Sequence, residues 1–119
     1  MKSSPLPASV ELDPEACIKS QVVLEAIGRR WTGAVLLAAN RGATRFGDYR
    51  RMVPGISDRL LSQRLKELEH MGLVEREVIP TTPVQILYRP TKDGAGLMTA
   101  LQPLIAWGTR HFILDGSPA

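Results

Sequence analysis

The sequence predicts a mainly α-helical domain that carries one small β-hairpin. Three observations lead there. Apolar residues recur at helical spacing through most of the chain, only the stretch 73–90 alternates as strands do, and Asp, Gly and Pro breakers cut the chain into short pieces. At 119 residues, with 44% hydrophobic and 23% charged residues, the chain suits one globular domain with a real core. Aromatic residues make up only 5%, so that core must be mostly Leu, Val, Ile and Ala.

Residues 1–12 lack the apolar run of a signal peptide and read as a flexible lead-in to a domain over 13–115. Asp13-Pro14 starts a first helix, with Asp as N-cap and Pro preorganised for the first helical position. It carries Cys17, Leu24 and Ile27 on one stripe and stops near Gly28. A second helix begins at Thr32, whose hydroxyl can cap it. Val35, Leu36, Leu37 and Ala38 make its middle nearly all apolar, which implies burial, and Asn40-Arg41-Gly42 ends it. Thr44-Arg45-Phe46 reads as a short strand, followed by a brief helix to Met52. Val53-Pro54-Gly55 is a turn, because the residue before proline is pushed out of helical geometry. Ser57 caps a helix over 57–71, and Gly72 ends it. Two strands follow, 73–79 and 85–89, joined by the stiff tip Pro80-Thr81-Thr82-Pro83-Val84. Thr91 opens a last helix with Pro103 inside it, where a kink is expected.

The order α-α-β-α-α-β-β-α is that of a winged helix-turn-helix. In it the 57–71 helix has two faces. Leu61, Leu65 and Leu68 fall on a buried stripe, while Arg59, Ser62, Gln63, Lys66 and His70 line the opposite side. Such long donors suit phosphate oxygens and major-groove base edges, although the same pattern also describes an ordinary solvated face. Charge sharpens the choice. Between Gly28 and Lys66 nine basic residues face only Asp48 and Asp58, a net +7, while the rest of the chain sums to −4. A basic middle points to a polyanion, most simply double-stranded DNA.

On this reading Arg45, Arg50, Arg51 and the Ser57 end of the helix hold phosphates. Arg59, Ser62, Gln63 and Lys66 reach base edges, and Thr81, Thr82 and Gln85 touch the neighbouring minor groove or its backbone. Arg29, Arg30 and Arg64 could equally pair with acidic side chains. The terminal helices hold more apolar surface than the core needs, including Leu24, Leu101, Leu104, Ile105 and Trp107. A homodimer interface is one explanation, and a plain monomer core is the other. Cys17 lies near the first turn of its helix, where the dipole favours a thiolate, so it reads either as a redox sensor or as a small buried hydrophobe.

Other classes fare worse. One cysteine and two histidines make no zinc site, and no Gly-rich phosphate loop or nucleophile elbow is present, so neither an enzyme nor a metal or cofactor is expected. No run approaches 18 apolar residues, so no membrane span is expected, and a single cysteine fits a reducing cytoplasm. The remaining rival is a winged-helix module that meets only other proteins.

Several stretches carry a likeness. They are Ile27-Gly28-Arg29-Arg30-Trp31-Thr32, Arg45-Phe46-Gly47-Asp48-Tyr49-Arg50-Arg51 and Pro54-Gly55-Ile56-Ser57. Leu61-Ser62-Gln63-Arg64-Leu65-Lys66-Glu67-Leu68-Glu69, Gly72-Leu73-Val74, Tyr88-Arg89-Pro90-Thr91, Gly94 and Trp107 complete the set. Together they resemble the HxlR-type regulators, a branch of the MarR-like winged-helix proteins, over about Cys17 to Arg110. The resemblance implies a dimeric bacterial transcription regulator whose 57–71 helix enters the major groove and whose terminal helices form the dimer. It also implies a cysteine near Cys17 that in some members senses electrophiles or oxidants. Gln85 departs from it, standing where a basic residue is common. Apart from the resemblance, a small apolar effector could sit between the terminal helices and the core, but no residue pattern points to one.

Overall fold

The computed structural model describes residues 13–112, so the lead-in and positions 113–115 lie outside the described residues. The chain divides between Arg30 and Trp31 into two units, the first holding one helix and the second all other elements. That first helix, α1 (Pro14–Gly28), is capped as expected: the Asp13 side chain accepts from the N–H of Ala16 at 2.6 Å. It buries no residue, and Ile18, Val22, Val23 and Leu24 are all exposed.

The second unit is built around α2 (Thr32–Asn40), which touches α3 (Phe46–Met52), α4 (Asp58–His70), β2 (Gln85–Pro90) and α5 (Lys92–His111). Its nearly all-apolar middle explains this: Val35, Leu36, Ala38 and Ala39 are all buried. Around them pack Tyr49, Val53, Ile56, Leu61, Leu65, Leu68, Val74 and Met98, an aliphatic core with one tyrosine at its centre. The start of α2 differs from expectation. Trp31 holds the N-cap with φ +76, and Thr32 lies inside the helix with its Oγ1 buried and without a partner. Trp31 packs its ring on the core, and that anchoring sets the entry to the helix in place of a hydroxyl cap.

Strand β1 (Val74–Ile79) pairs antiparallel with β2 in the register Val74–Pro90 through Ile79–Gln85. The strand expected at 44–46 reduces to one bridge between Arg45 and Leu87, because the helical turn of α3 begins at Phe46 and leaves no further residue to extend. That short contact still ties the hairpin down. The N–H of Tyr88 donates to the Thr44 carbonyl at 2.7 Å, and the buried Tyr49 hydroxyl donates to the Tyr88 carbonyl at 2.9 Å. Burial, with the nearby Asp48 charge, pushes the Tyr49 hydroxyl pKa up, so it stays a donor.

Helix α4 ends on a left-handed glycine. Gly72 has φ +76, its N–H donates to the Glu69 carbonyl at 3.0 Å, and the Leu73 N–H donates to the Leu68 carbonyl at 2.9 Å. These two bonds satisfy helix-end carbonyls and turn the chain into β1. Thr91 then joins three elements. Its hydroxyl donates to the Gly72 carbonyl at 2.6 Å and accepts from the Gly94 N–H at 3.0 Å, while its N–H donates to the Leu73 carbonyl at 3.1 Å. Helix α5 runs unbroken through Pro103 to His111.

Candidate nucleic-acid interface

Helix α4 is positioned from both ends. At its start the Ser57 hydroxyl accepts from the Leu60 N–H at 3.1 Å, the cap expected of it. Along its inner side Leu61, Leu65 and Leu68 are all fully buried, which fixes the rotation of the helix about its axis. That rotation turns Arg59, Ser62, Gln63, Lys66 and His70 outward, and all five are exposed. Arg59 and Lys66 make no ion pair with any described residue. The Gln63 amide donates to Glu67 at 3.3 Å, and Arg64 donates to both oxygens of Glu67 at 3.0 and 3.1 Å. Arg64 is thus part of the helix flank, the blander of the two roles expected for it.

The arginines of α3 lie beside this helix, and each is held by a neighbour. Arg50 Nη1 donates to both oxygens of Asp58, at 3.1 and 3.2 Å, across the turn between α3 and α4. Arg51 donates to Asp48 at 2.6 Å. Asp48 in turn accepts from the backbone N–H groups of Arg45 at 3.1 Å and Thr44 at 3.2 Å. The Arg45 and Thr44 backbone donors, helped by the Arg51 guanidinium, lower its carboxyl pKa from 3.8 to about 2.

Arg45 reaches the hairpin, where its Nη2 donates to Gln85 Oε1 at 3.2 Å. Gln85 is a neutral acceptor, so the Arg45 charge stays uncompensated by that contact and stands beside the tip end of β2. At the tip Thr81 and Thr82 are exposed, with the Thr81 hydroxyl donating to the Pro83 carbonyl at 2.8 Å. On the shaft Arg89 pairs with Glu77 at 2.8 Å, so its charge is locally balanced.

Within the second unit Arg45 is tied to the hairpin through Gln85, and Arg50 is tied to the first residue of α4, beside the Ser57 cap. That first residue is Asp58, which the sequence reading did not select. A carboxylate eight residues beyond an arginine and across a turn leaves no periodic trace. Cys17 is exposed in the first turn of α1, and its N–H donates to the Asp13 carbonyl at 3.0 Å. The neighbouring charges Glu15 and Lys19 pair with each other at 3.0 Å. On α5, Leu101 is half-buried against the core, whereas Leu104, Ile105 and Trp107 are exposed. Trp107 stacks on His111 with centroids 4.7 Å apart, and Phe112 meets both edge-on. Among the described residues no cluster of metal-ligating side chains occurs, and no helix is long and apolar enough to cross a membrane.

Known proteins agree with this geometry. The HTH-type transcriptional regulator YodB of Bacillus subtilis is 37% identical over 91 residues, covering 76% of this chain and 81% of YodB. The solved structure of the reduced form of YodB superposes with a TM-score of 0.71 at 33% identity, covering 90% of this chain and all of that one. The redox regulator HypR in its reduced form gives 0.72 at 32% identity over 78% of this chain and 92% of HypR. Residues 26–114 match the family described as HxlR-like helix-turn-helix, which is most of the chain. This winged helix-turn-helix chain accordingly belongs to the HxlR-like family of transcriptional regulators.

Proposed function

We propose that this regulator binds a near-palindromic operator as a homodimer, with α4 in the major groove. The observation that carries the reading is the two-sided character of α4: three fully buried leucines on one side, and Arg59, Ser62, Gln63 and Lys66 exposed on the other. Arg is matched to guanine and Gln to adenine in the major groove, each good pair contributing ~1–3 kcal/mol of discrimination. Arg45, Arg50, Arg51 and the capped start of α4 supply the sequence-independent grip on phosphates. Thr81, Thr82 and Gln85 accompany the adjacent minor groove. A partner-protein role is disfavoured by the outer side of α4, which offers no apolar anchor.

Dimerisation through the terminal helices accounts for the exposed apolar residues Leu24, Leu104, Ile105 and Trp107. Leu101 lies on the same helix but half-buried, so its share in such an interface is smaller. The solved relatives include a redox regulator, and Cys17 is exposed, which supports an oxidant response through an intersubunit disulfide or an adduct at that thiol. Solubility and a cytoplasmic setting follow from the same role. A small-molecule effector fits it too, but no residue pattern in the chain points to one.

The test is a gel-shift titration on duplex selected from a random-sequence pool, against unselected duplex. Arg59→Ala and Gln63→Ala should each weaken binding to the selected site about tenfold or more, with little change on random duplex. Equal losses on both duplexes would remove these residues as readers. Run after oxidation with diamide, the same titration should lose affinity in the wild type but not in Cys17→Ser. An oxidant-insensitive wild type sinks the sensor role alone.

A further inference from the structure

We propose that Asp58 is a positioning residue for Arg50 that suppresses binding to wrong DNA registers. The inference rests on the DNA-binding reading above. Asp58 is the first residue of α4, directly after the Ser57 cap, and its side chain is 61% exposed beside the 57% exposed Arg50. An acidic group at the leading end of a reading helix is costly against a polyanion, yet this one is placed where a duplex backbone would pass. Its carboxylate straddles a single nitrogen of Arg50, with both oxygens within 3.2 Å of Nη1.

Two consequences follow from that geometry. The pair is neutral as a unit, so Arg50 does not act as a free cation toward every phosphate it meets. The guanidinium is also oriented, because Nη1 is tied down while Nη2 and Nε keep hydrogens to donate. A duplex in the correct register lays a phosphate against those remaining donors, away from the carboxylate, and Arg50 bridges phosphate and Asp58. A duplex in another register meets an Arg50 charge already neutralised by the carboxylate and gains no phosphate contact there. Specificity obtained this way is discrimination against wrong complexes rather than extra attraction to the right one. Random DNA bears most of the penalty, since non-specific binding is almost wholly phosphate contact.

The experiment compares wild type, Asp58→Asn, Asp58→Glu and Arg50→Gln with Arg50→Gln/Asp58→Asn, on selected and random duplex, over a series of salt concentrations. Far-UV circular dichroism of each variant checks folding, and both positions are exposed. Asp58→Asn should tighten random-duplex binding roughly tenfold at low salt and steepen its salt dependence by about one phosphate contact. Selected-duplex affinity should rise by less than about threefold, so the specificity ratio falls. Asp58→Glu should restore most of the ratio. In the Arg50→Gln background, adding Asp58→Asn should lower the ratio no further. Equal tightening on both duplexes, or the same drop in ratio without Arg50, overturns the proposal and leaves Asp58 a plain surface charge. A wild type that enriches no sequence from the pool defeats the parent reading instead, before any variant is compared.

Discussion

Asp48 shows how much one half-buried side chain can organise. Its carboxylate gathers two backbone N–H groups at the entry to α3 and one guanidinium from the next turn, and these hold its pKa at about 2. The group is therefore more acidic in the folded chain than in the unfolded one. Its contribution to stability is complete above the ordinary carboxylate value of 3.8 and is lost as pH falls from there toward 2. Asp48→Asn should lower the urea midpoint at neutral pH and flatten its decline between about pH 4 and pH 2. A variant whose midpoint falls with acid as steeply as the wild type's would place the acid-sensitive group elsewhere. The substitution also frees Arg51, so its DNA phenotype should be read with stability measured beside it.

At the scale of elements, α5 gives a paired prediction from two glycines two residues apart. A methyl group added at Gly94 would overlap the backbone carbonyl of Leu73, whereas one added at Gly96 would meet nothing. Backbone cannot step aside as a side-chain end can, and Leu73 is fixed here by its bonds to Leu68 and Thr91. Gly94→Ala should destabilise the domain at the upper end of the ~1–3 kcal/mol range for overpacking. Gly96→Ala should stabilise it by ~0.5–1 kcal/mol through helix propensity. Equilibrium urea unfolding of the two variants checks both, and a shared sign would refute the account of Gly94. The same contrast marks what a sequence can disclose. The leucine stripe of α4, the apolar run of α2 and Gly72 at the end of α4 are local patterns, and each led to the element found. Close approach of Gly94 to Leu73, the Arg45–Gln85 contact and the Arg50–Asp58 pair join residues far apart or across turns, and no period reports them. Trp31 at the start of α2 was hidden for a related reason: a tertiary contact of its ring, not a local cap, decides where that helix begins.

At the scale of the whole molecule, the exposed apolar residues at the far end of α5 are the feature a single chain leaves without purpose. Leu104, Ile105 and Trp107 lie on the last two turns, with the Trp107–His111–Phe112 aromatic group beyond the core contacts of Leu97 and Leu101. Burying such side chains in a subunit interface is worth about 1.5–3 kcal/mol each. Placing a charge on them inside that interface costs several times more than removing them. Leu104→Glu with Trp107→Glu should therefore give a folded monomer in sedimentation velocity, with helical content unchanged. Its binding to a full palindrome should weaken by at least about a hundredfold, because each half-site is then held without the effective concentration its partner supplies. Binding to an isolated half-site should hardly change. The wild-type protein adds a geometric check: two copies of α4 reading half-sites about one helical turn apart cannot both engage when about five base pairs are inserted between them, since half a turn puts the second site on the opposite side of the duplex. If the doubly charged variant still sediments as a dimer, or if the wild type tolerates the inserted half turn, the two reading helices are not coupled through the end of α5, and the pairing of subunits has to be sought on another surface.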